Sequence, residues 1–191
     1  GGWCLAESQL AAAGIQVANA IYDPLTALDE NLTAKPYLAE SVTPNATANE
    51  FTITLRKGVK FHDGTDLTAE VVKDNLDLLR GEKTAVEKYG RAPQLTPFIF
   101  APLADVTVSD PLTVVVTTKA PWPAFPDYLA SGRYGMMAKA QYSAPGKECA
   151  EKLIGTTSST GASRNTSMAI TSRWNRTLRI RRSPATGGRR A

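Results

Sequence analysis

The sequence is poor in the residues that carry most chemistry, with one histidine and two cysteines among 191 residues. A single imidazole without a paired nucleophile or a cluster of acids makes neither a hydrolytic triad nor a closed metal site. No His/Cys cluster has metal-ligand spacing, and two cysteines cannot frame a disulfide-dense mini-fold. Neither G-x-G-x-x-G nor G-x-x-x-x-G-K-[S/T] occurs, so there is no glycine-rich phosphate loop. Uncharged apolar runs fall far short of the ~20 residues that a membrane span needs. There is no initiator methionine and no basic-plus-apolar leader, which we read as an export signal already removed or never included. These absences leave no catalytic residue, metal ligand or cofactor to nominate.

What is present is an ordinary globular composition, 42% hydrophobic and 21% charged, on a chain long enough for a sizeable core. The net charge of +4 conceals a split. Residues 1–155 hold 14 basic and all 18 acidic residues, a balance of −4, whereas residues 156–191 hold eight arginines, no lysine and no acid. That tail is rich in Thr, Ser, Gly and Arg, with Met168, Ile170, Trp174, Leu178 and Ile180 scattered at no lasting period. It is expected to bury little surface and to be disordered. Its arginines read either as a basic arm for nucleic acid or an anionic membrane, or as a solvated tail from an altered reading frame. Arginine without lysine or acid favours the second.

Ahead of the tail the local signals are definite. Leu10, Gly14, Val17 and Ile21 recur at spacings of four, three and four, one stripe of an amphipathic helix that Asp23-Pro24 closes. Phe51, Ile53 and Leu55 alternate with Thr52, Thr54 and Arg56, the period of a half-buried strand. His62-Asp63-Gly64 makes a turn, with glycine free to take a positive φ. A helix is predicted over residues 68–80, with Thr68 as N-cap, a buried stripe of Val72, Leu76 and Leu79, and Gly81 to end it. Residues 106–109 and 113–117 are β-branched runs around Asp110-Pro111 and read as an antiparallel pair. Pro121-Trp122-Pro123 leads into a short helix over residues 125–130. Strands and helices without regular βαβ alternation predict an α+β fold.

Four segments in this order carry a resemblance. They are Ile21-Tyr22-Asp23-Pro24-Leu25, Pro36-Tyr37-Leu38-Ala39-Glu40-Ser41, the run from Leu55-Arg56-Lys57-Gly58 through Phe61-His62-Asp63-Gly64-Thr65, and Leu67-Thr68-Ala69-Glu70. Together they resemble the opening of the family 5 extracellular solute-binding proteins, the peptide- and nickel-type receptors of ABC importers. The likeness covers residues 1–156 and fades where Gly155-Thr156 continues as Thr157-Ser158-Ser159. It implies an incomplete type II periplasmic-binding-protein-like fold. Residues 1–155 would be part of the first lobe, with an inserted subdomain over about residues 40–130, ahead of an aberrant tail.

The resemblance implies a non-enzymatic, extracytoplasmic receptor that captures a peptide or other small solute and delivers it to permease subunits. A monomer, peripheral to the membrane and without specific nucleic-acid binding, is expected. The other readings are a nucleic-acid-binding protein acting through the arginine tail, and a non-functional truncated gene product.

By position in such receptors, Leu10, Ala12 and Ala13 before the first helix would line the ligand cleft, as would Ser131 and Arg133 where the chain returns from the subdomain. Arg133 could meet a ligand carboxylate or lie as a plain surface arginine. Trp122 could line the cleft or anchor the core. His62 is expected to be a turn residue packing beside the following helix, with Asp63 and Asp66 serving that helix's cap and dipole. Export would let Cys4 and Cys149 form a disulfide; a lipid-bearing Cys4 and two unrelated buried thiols are the alternatives.

Overall fold

A computed structural model describes residues 2–157 of the chain. The expectations for the remainder of the arginine-rich tail lie outside the described residues. After an irregular N-terminal segment the chain forms α1 (Ala12–Ile21) and a hairpin of β1 (Thr26–Leu28) and β2 (Ala34–Pro36). β3 (Ala39–Pro44), β4 (Glu50–Leu55) and β5 (Lys60–Phe61) follow, then α2 (Ala69–Arg80) and α3 (Lys83–Tyr89). β6 (Leu103–Asp110) and β7 (Thr113–Thr118) form the predicted antiparallel pair. Single helical turns at Thr96–Ile99, Phe125–Tyr128, Lys139–Tyr142 and Glu148–Glu151 punctuate the rest. A 3₁₀ turn spans Gly132–Tyr134, and β8 (Thr156–Thr157) returns antiparallel to β5.

The centre is a four-stranded antiparallel sheet in the order β3-β4-β7-β6, with Ile53 opposite Val114 and Val106 opposite Val116. Alternation decides which side chains go inward. In β4, Phe51, Ile53 and Leu55 are buried while Thr52 faces solvent; in β7, Val114 and Val116 are buried. Over this face lies α2, which begins where the Thr68 hydroxyl accepts the Val71 N–H at 3.4 Å. It ends at Gly81, whose φ of 71° is the left-handed geometry that glycine adopts without a β-carbon clash. Val72, Leu76 and Leu79 face the sheet, each burial stabilising by about 1.5–3 kcal/mol. Polar clips fix the helix on β6: Lys73 donates to the Val106 carbonyl at 2.7 Å and Arg80 to that of Ala104 at 3.1 Å. Between the two cations sits the nearly buried Asp77, 2.6 Å from Lys73 and 2.8 Å from Arg80.

The other side of α2 faces a second, smaller core. Leu78 joins Cys4, Leu5, Ala6, Ala18, Tyr22, Met137, Tyr142 and Cys149 there. Asn75 reads the backbone of Met137 from both directions, donating to its carbonyl at 2.9 Å and accepting its N–H at 3.1 Å. The two cysteines are joined as a disulfide, with Cα atoms 5.1 Å apart. In the loop-entropy model, closing an interval of 145 residues stabilises by about 5 kcal/mol.

Three expectations need correction. The stripe on α1 is only partly covered: Leu10 and Ile21 pack against the second core, but Val17 is 45% exposed and the helix's one buried residue, Ala18, lies off the stripe. Apolar spacing cannot tell a covered position from an uncovered one. His62 is exposed instead of packing beside α2, and its N–H bonds the Gly155 carbonyl at 2.9 Å because β8 runs alongside β5. Asp63 and Asp66 do not serve α2. Asp63 closes its own turn by accepting from Thr65, and Asp66 pairs with Lys60 at 2.6 Å, while Thr68 takes the cap.

Candidate ligand-binding site

The residues just before α1 and the segment returning after the helical turn Phe125–Tyr128 lie against each other. Arg133 donates a guanidinium N–H to the carbonyl of Leu10, across 123 positions of sequence. Ser131 caps the 3₁₀ turn by accepting the Arg133 N–H at 3.3 Å, which sets the direction of that arginine. The close approach depends on the absence of side chains. A β-carbon at Gly132 would collide with the Asn19 amide on α1, and one at Gly155 would collide with the Ile21 carbonyl. Ala12 and Ala13 stand exposed in the first turn of α1. The residue at the N-cap is Ala11, which has no side-chain acceptor, so the helix's leading N–H groups carry no side-chain cap.

Beside this helix start opens a groove of about 620 Å³. Its walls come from Gly2 and Trp3, residues 7–10, Gly14 and Gln94, and a bond of 2.8 Å between Gln9 and Gln94 spans two of them. Glu7 turns its carboxylate to the Ala92 N–H at 2.8 Å and lies 3.8 Å from Arg91. Hydrogen bonds thus join Leu10, Arg133 and Ser131, while Ala12 and Ala13 stand exposed in the first turn of α1. Trp122 is not among them. It is half-buried in an aromatic cluster, 5.2 Å from the Phe125 ring, 5.1 Å from Tyr128 and 6.4 Å from Phe100, with its backbone N–H on Ala48.

Behind the site, buried polar groups lock the chain crossings. The Gln141 side-chain amide donates toward the carbonyls of Trp3, Cys149 and Lys152 and to the Tyr22 hydroxyl, and its oxygen accepts the Ile154 N–H. Burial pushes the Tyr22 phenol up to about 12, against the opposing bond from Gln141. Asp23 accepts from Thr156 at 2.7 Å and from Tyr37 at 3.3 Å. Burial raises its pKa above the ordinary value, and those two bonds and the charge of His62 oppose the rise. The Tyr37 phenol is pushed up to about 12, first by burial and then by the Asp23 charge. None of the groove-lining Trp3, Glu7 and Gln94, nor Arg91 and Gln141 behind them, stands out in the sequence. Their partners are distant, and the stretch Tyr89-Gly90-Arg91-Ala92-Pro93 reads only as a loop.

The family model described as bacterial extracellular solute-binding proteins, family 5 Middle, matches residues 33–162. The chain belongs to this family. A curated relative is the glutathione-binding protein GsiB of Escherichia coli K12, 34% identical over 140 residues, which are 73% of this chain and 26% of GsiB. The chain thus spans about a quarter of the length of the curated relatives it matches. Among solved structures, the binding protein AgaA of A. tumefaciens R10, in complex with agropinic acid, is 28% identical with a TM-score of 0.59. That match covers 72% of this chain and 26% of AgaA. DppA of Helicobacter pylori, in complex with the peptide STSA, has a TM-score of 0.66 at 19% identity, covering 81% of this chain and 33% of DppA. The fold is accordingly α+β and of the type II periplasmic-binding-protein-like class, of which this chain matches a part.

The family match runs to residue 162, and Thr156 and Thr157 form β8. Among the described residues, no helix is long and apolar enough to cross a membrane, and no group of three His, Cys, Asp or Glu side chains could hold a metal ion.

Proposed function

We propose that this family 5 chain supplies one wall of the cleft in which the solute-binding component of an ABC importer captures a carboxylate-bearing peptide or similar small solute. Capture takes place outside the cytoplasmic membrane, without catalysis, and the cargo passes to permease subunits. In this reading residues 1–155 open the first lobe, and the four-stranded sheet forms its inserted subdomain over about residues 40–130.

The observation that carries the reading is the uncapped start of α1 next to Arg133. Leading N–H groups of a helix and a guanidinium both favour an anion, and the bond to Leu10 takes one of the five N–H donors of Arg133. The relatives' ligands share that chemistry: glutathione is a tripeptide with two carboxylates, and a peptide such as STSA ends in one. Ala12, Ala13 and Ser131 leave the approach open to backbone contact. Trp122 is better used as a core anchor than as a cleft wall.

One charge-assisted contact is worth about 1.5–3 kcal/mol, so this wall alone should bind with millimolar affinity or weaker. Titrating the isotope-labelled chain with glutathione should shift the amide signals of Ala12, Ala13, Gly14 and Arg133. The carboxyl-esterified tripeptide should leave them in place, and Arg133→Ala should abolish the shifts. Perturbation confined to other surfaces, or equal shifts with the ester, would sink the assignment.

A further inference from the structure

We propose that the Cys4–Cys149 bond is a latch on the groove, so that residues 2–10 stand as a wall only in the oxidised chain. This goes beyond ligand capture and holds whatever the groove takes up. The wall contains no helix and no strand, so no ladder of backbone bonds carries it. It buries Cys4, Leu5, Ala6 and Ser8 against the second core and is otherwise tied at single points to segments far along the chain. Trp3 donates to the Ala150 carbonyl at 3.0 Å, Leu5 to the Met137 sulfur at 3.4 Å, and Glu7 accepts from Ala92. Apart from the peptide chain leading into α1, the disulfide is its covalent tie to the body behind it. Each point contact and each small buried side chain must offset the entropy of ordering the residues between them, which leaves the covalent bond a large share of the hold.

Arg91 completes the latch. Its side chain is buried, with Nε on the Tyr89 carbonyl at 3.0 Å and Nη2 on that of Ala144 at 2.8 Å; Nη1 lies 3.4 Å from the Cys4 sulfur. The same guanidinium faces the Glu7 carboxylate on the wall and the carbonyl of Gly146, three residues before Cys149. It therefore bridges the moving half of the latch and the fixed half. Opening is a thiol–disulfide exchange with a dithiol. Both cysteines are buried, so exchange takes place when the segment transiently opens: one thiolate attacks the Cys149 sulfur, the S–S bond breaks, and Cys4 leaves as a thiolate that the adjacent cation stabilises. The dithiol's second thiolate then displaces Cys149, giving a cyclic disulfide and two protein thiols.

The test is backbone relaxation by NMR on the full chain, before and after dithiothreitol, and on Cys4→Ala/Cys149→Ala, which separates loss of the bond from reagent effects. Opening should drop the order parameters of residues 2–10 from about 0.85 to below about 0.6, while β4 and β7 keep dispersed shifts and rigid values. Two results would overturn the proposal. One is a wall that stays ordered without the bond; the other is a sheet that loses its dispersed shifts together with the wall, which would make the disulfide a staple for the whole fold.

Discussion

On one side of α2 lies a core of apolar side chains, Phe51, Ile53, Val114 and Val116 among them; on the other lies a smaller cluster threaded by Asn75, Arg91 and Gln141. The first is held by shape and by the exclusion of water. The second buries nearly as completely, but its strands of chain cross without a common sheet, so side-chain amides and a guanidinium satisfy the backbone groups that a ladder would otherwise pair. The two sides should therefore fail differently, one by leaving cavities and the other by leaving carbonyls and N–H groups without partners.

The largest effect should come from Phe51→Ala, because that ring is buried 4.9 Å from the ring of Phe125. A loss of about 4 kcal/mol is expected in urea unfolding, against less than ~0.5 kcal/mol for Val17→Ala at an exposed position of α1. Equal losses at the two positions would erase the distinction between a packed and an open face. Next in size is Gln141→Ala, which strands the Ile154 N–H and several carbonyls at once. A cost of about 2–3 kcal/mol is expected, and a Gln141→Leu variant of similar volume should recover little of it. Full recovery by leucine would mean that volume, not hydrogen bonding, holds the polar side together.

Asp23 gives a smaller, pH-dependent test. Its pKa is raised in the folded state above the ordinary value of 3.8, chiefly by burial, so the native protein binds that proton more tightly than the unfolded chain. The sign follows from linkage. The stabilisation is fully present below the unfolded value and is lost as pH rises through the raised native value. Asp23→Asn should flatten this part of the stability–pH curve and cost little at pH 7, where the wild-type carboxylate is ionised in a partly desolvated place. A variant that loses more stability at pH 7 than at pH 4 would show the charge to be favourable there.

The smallest effect should be a gain. Leu32 holds a φ of 59° at the tip of the β1–β2 hairpin with 78% of its surface exposed, so its side chain burdens the backbone and contributes little packing. Leu32→Asn is expected to stabilise by about 1 kcal/mol in thermal unfolding, since asparagine visits that region more readily. A lower melting temperature would mean that the leucine packs on the hairpin after all.

The apolar side was legible because its signals are local. Alternation in β4 and β7, the Thr68 cap and the Gly81 stop each lie within a dozen residues, and each reappears in the fold. The candidate site was legible only where the family resemblance supplied positions, since Leu10 and Arg133 meet across 123 residues. Nothing near Arg91 or Gln141 announces a buried hub, because both residue types are ordinarily solvated and their partners are backbone atoms that no sequence pattern encodes. The exposure of Val17 on the α1 stripe has a similar origin. The stripe of Leu10, Gly14, Val17 and Ile21 records apolar character, and what covers a stripe is decided by elements elsewhere.

The glycines at 132 and 155 have a consequence for mutational tolerance. One opens a single 3₁₀ turn and the other sits in an irregular stretch, places where substitutions are usually absorbed, yet each faces a backbone or side-chain atom of α1 with no room for a methyl group. In a saturation library these two positions should accept glycine alone, while Ala12, Ala13 and Val17 on the neighbouring helix take many residues. The least forgiving positions of this molecule would then lie at two places without a side chain.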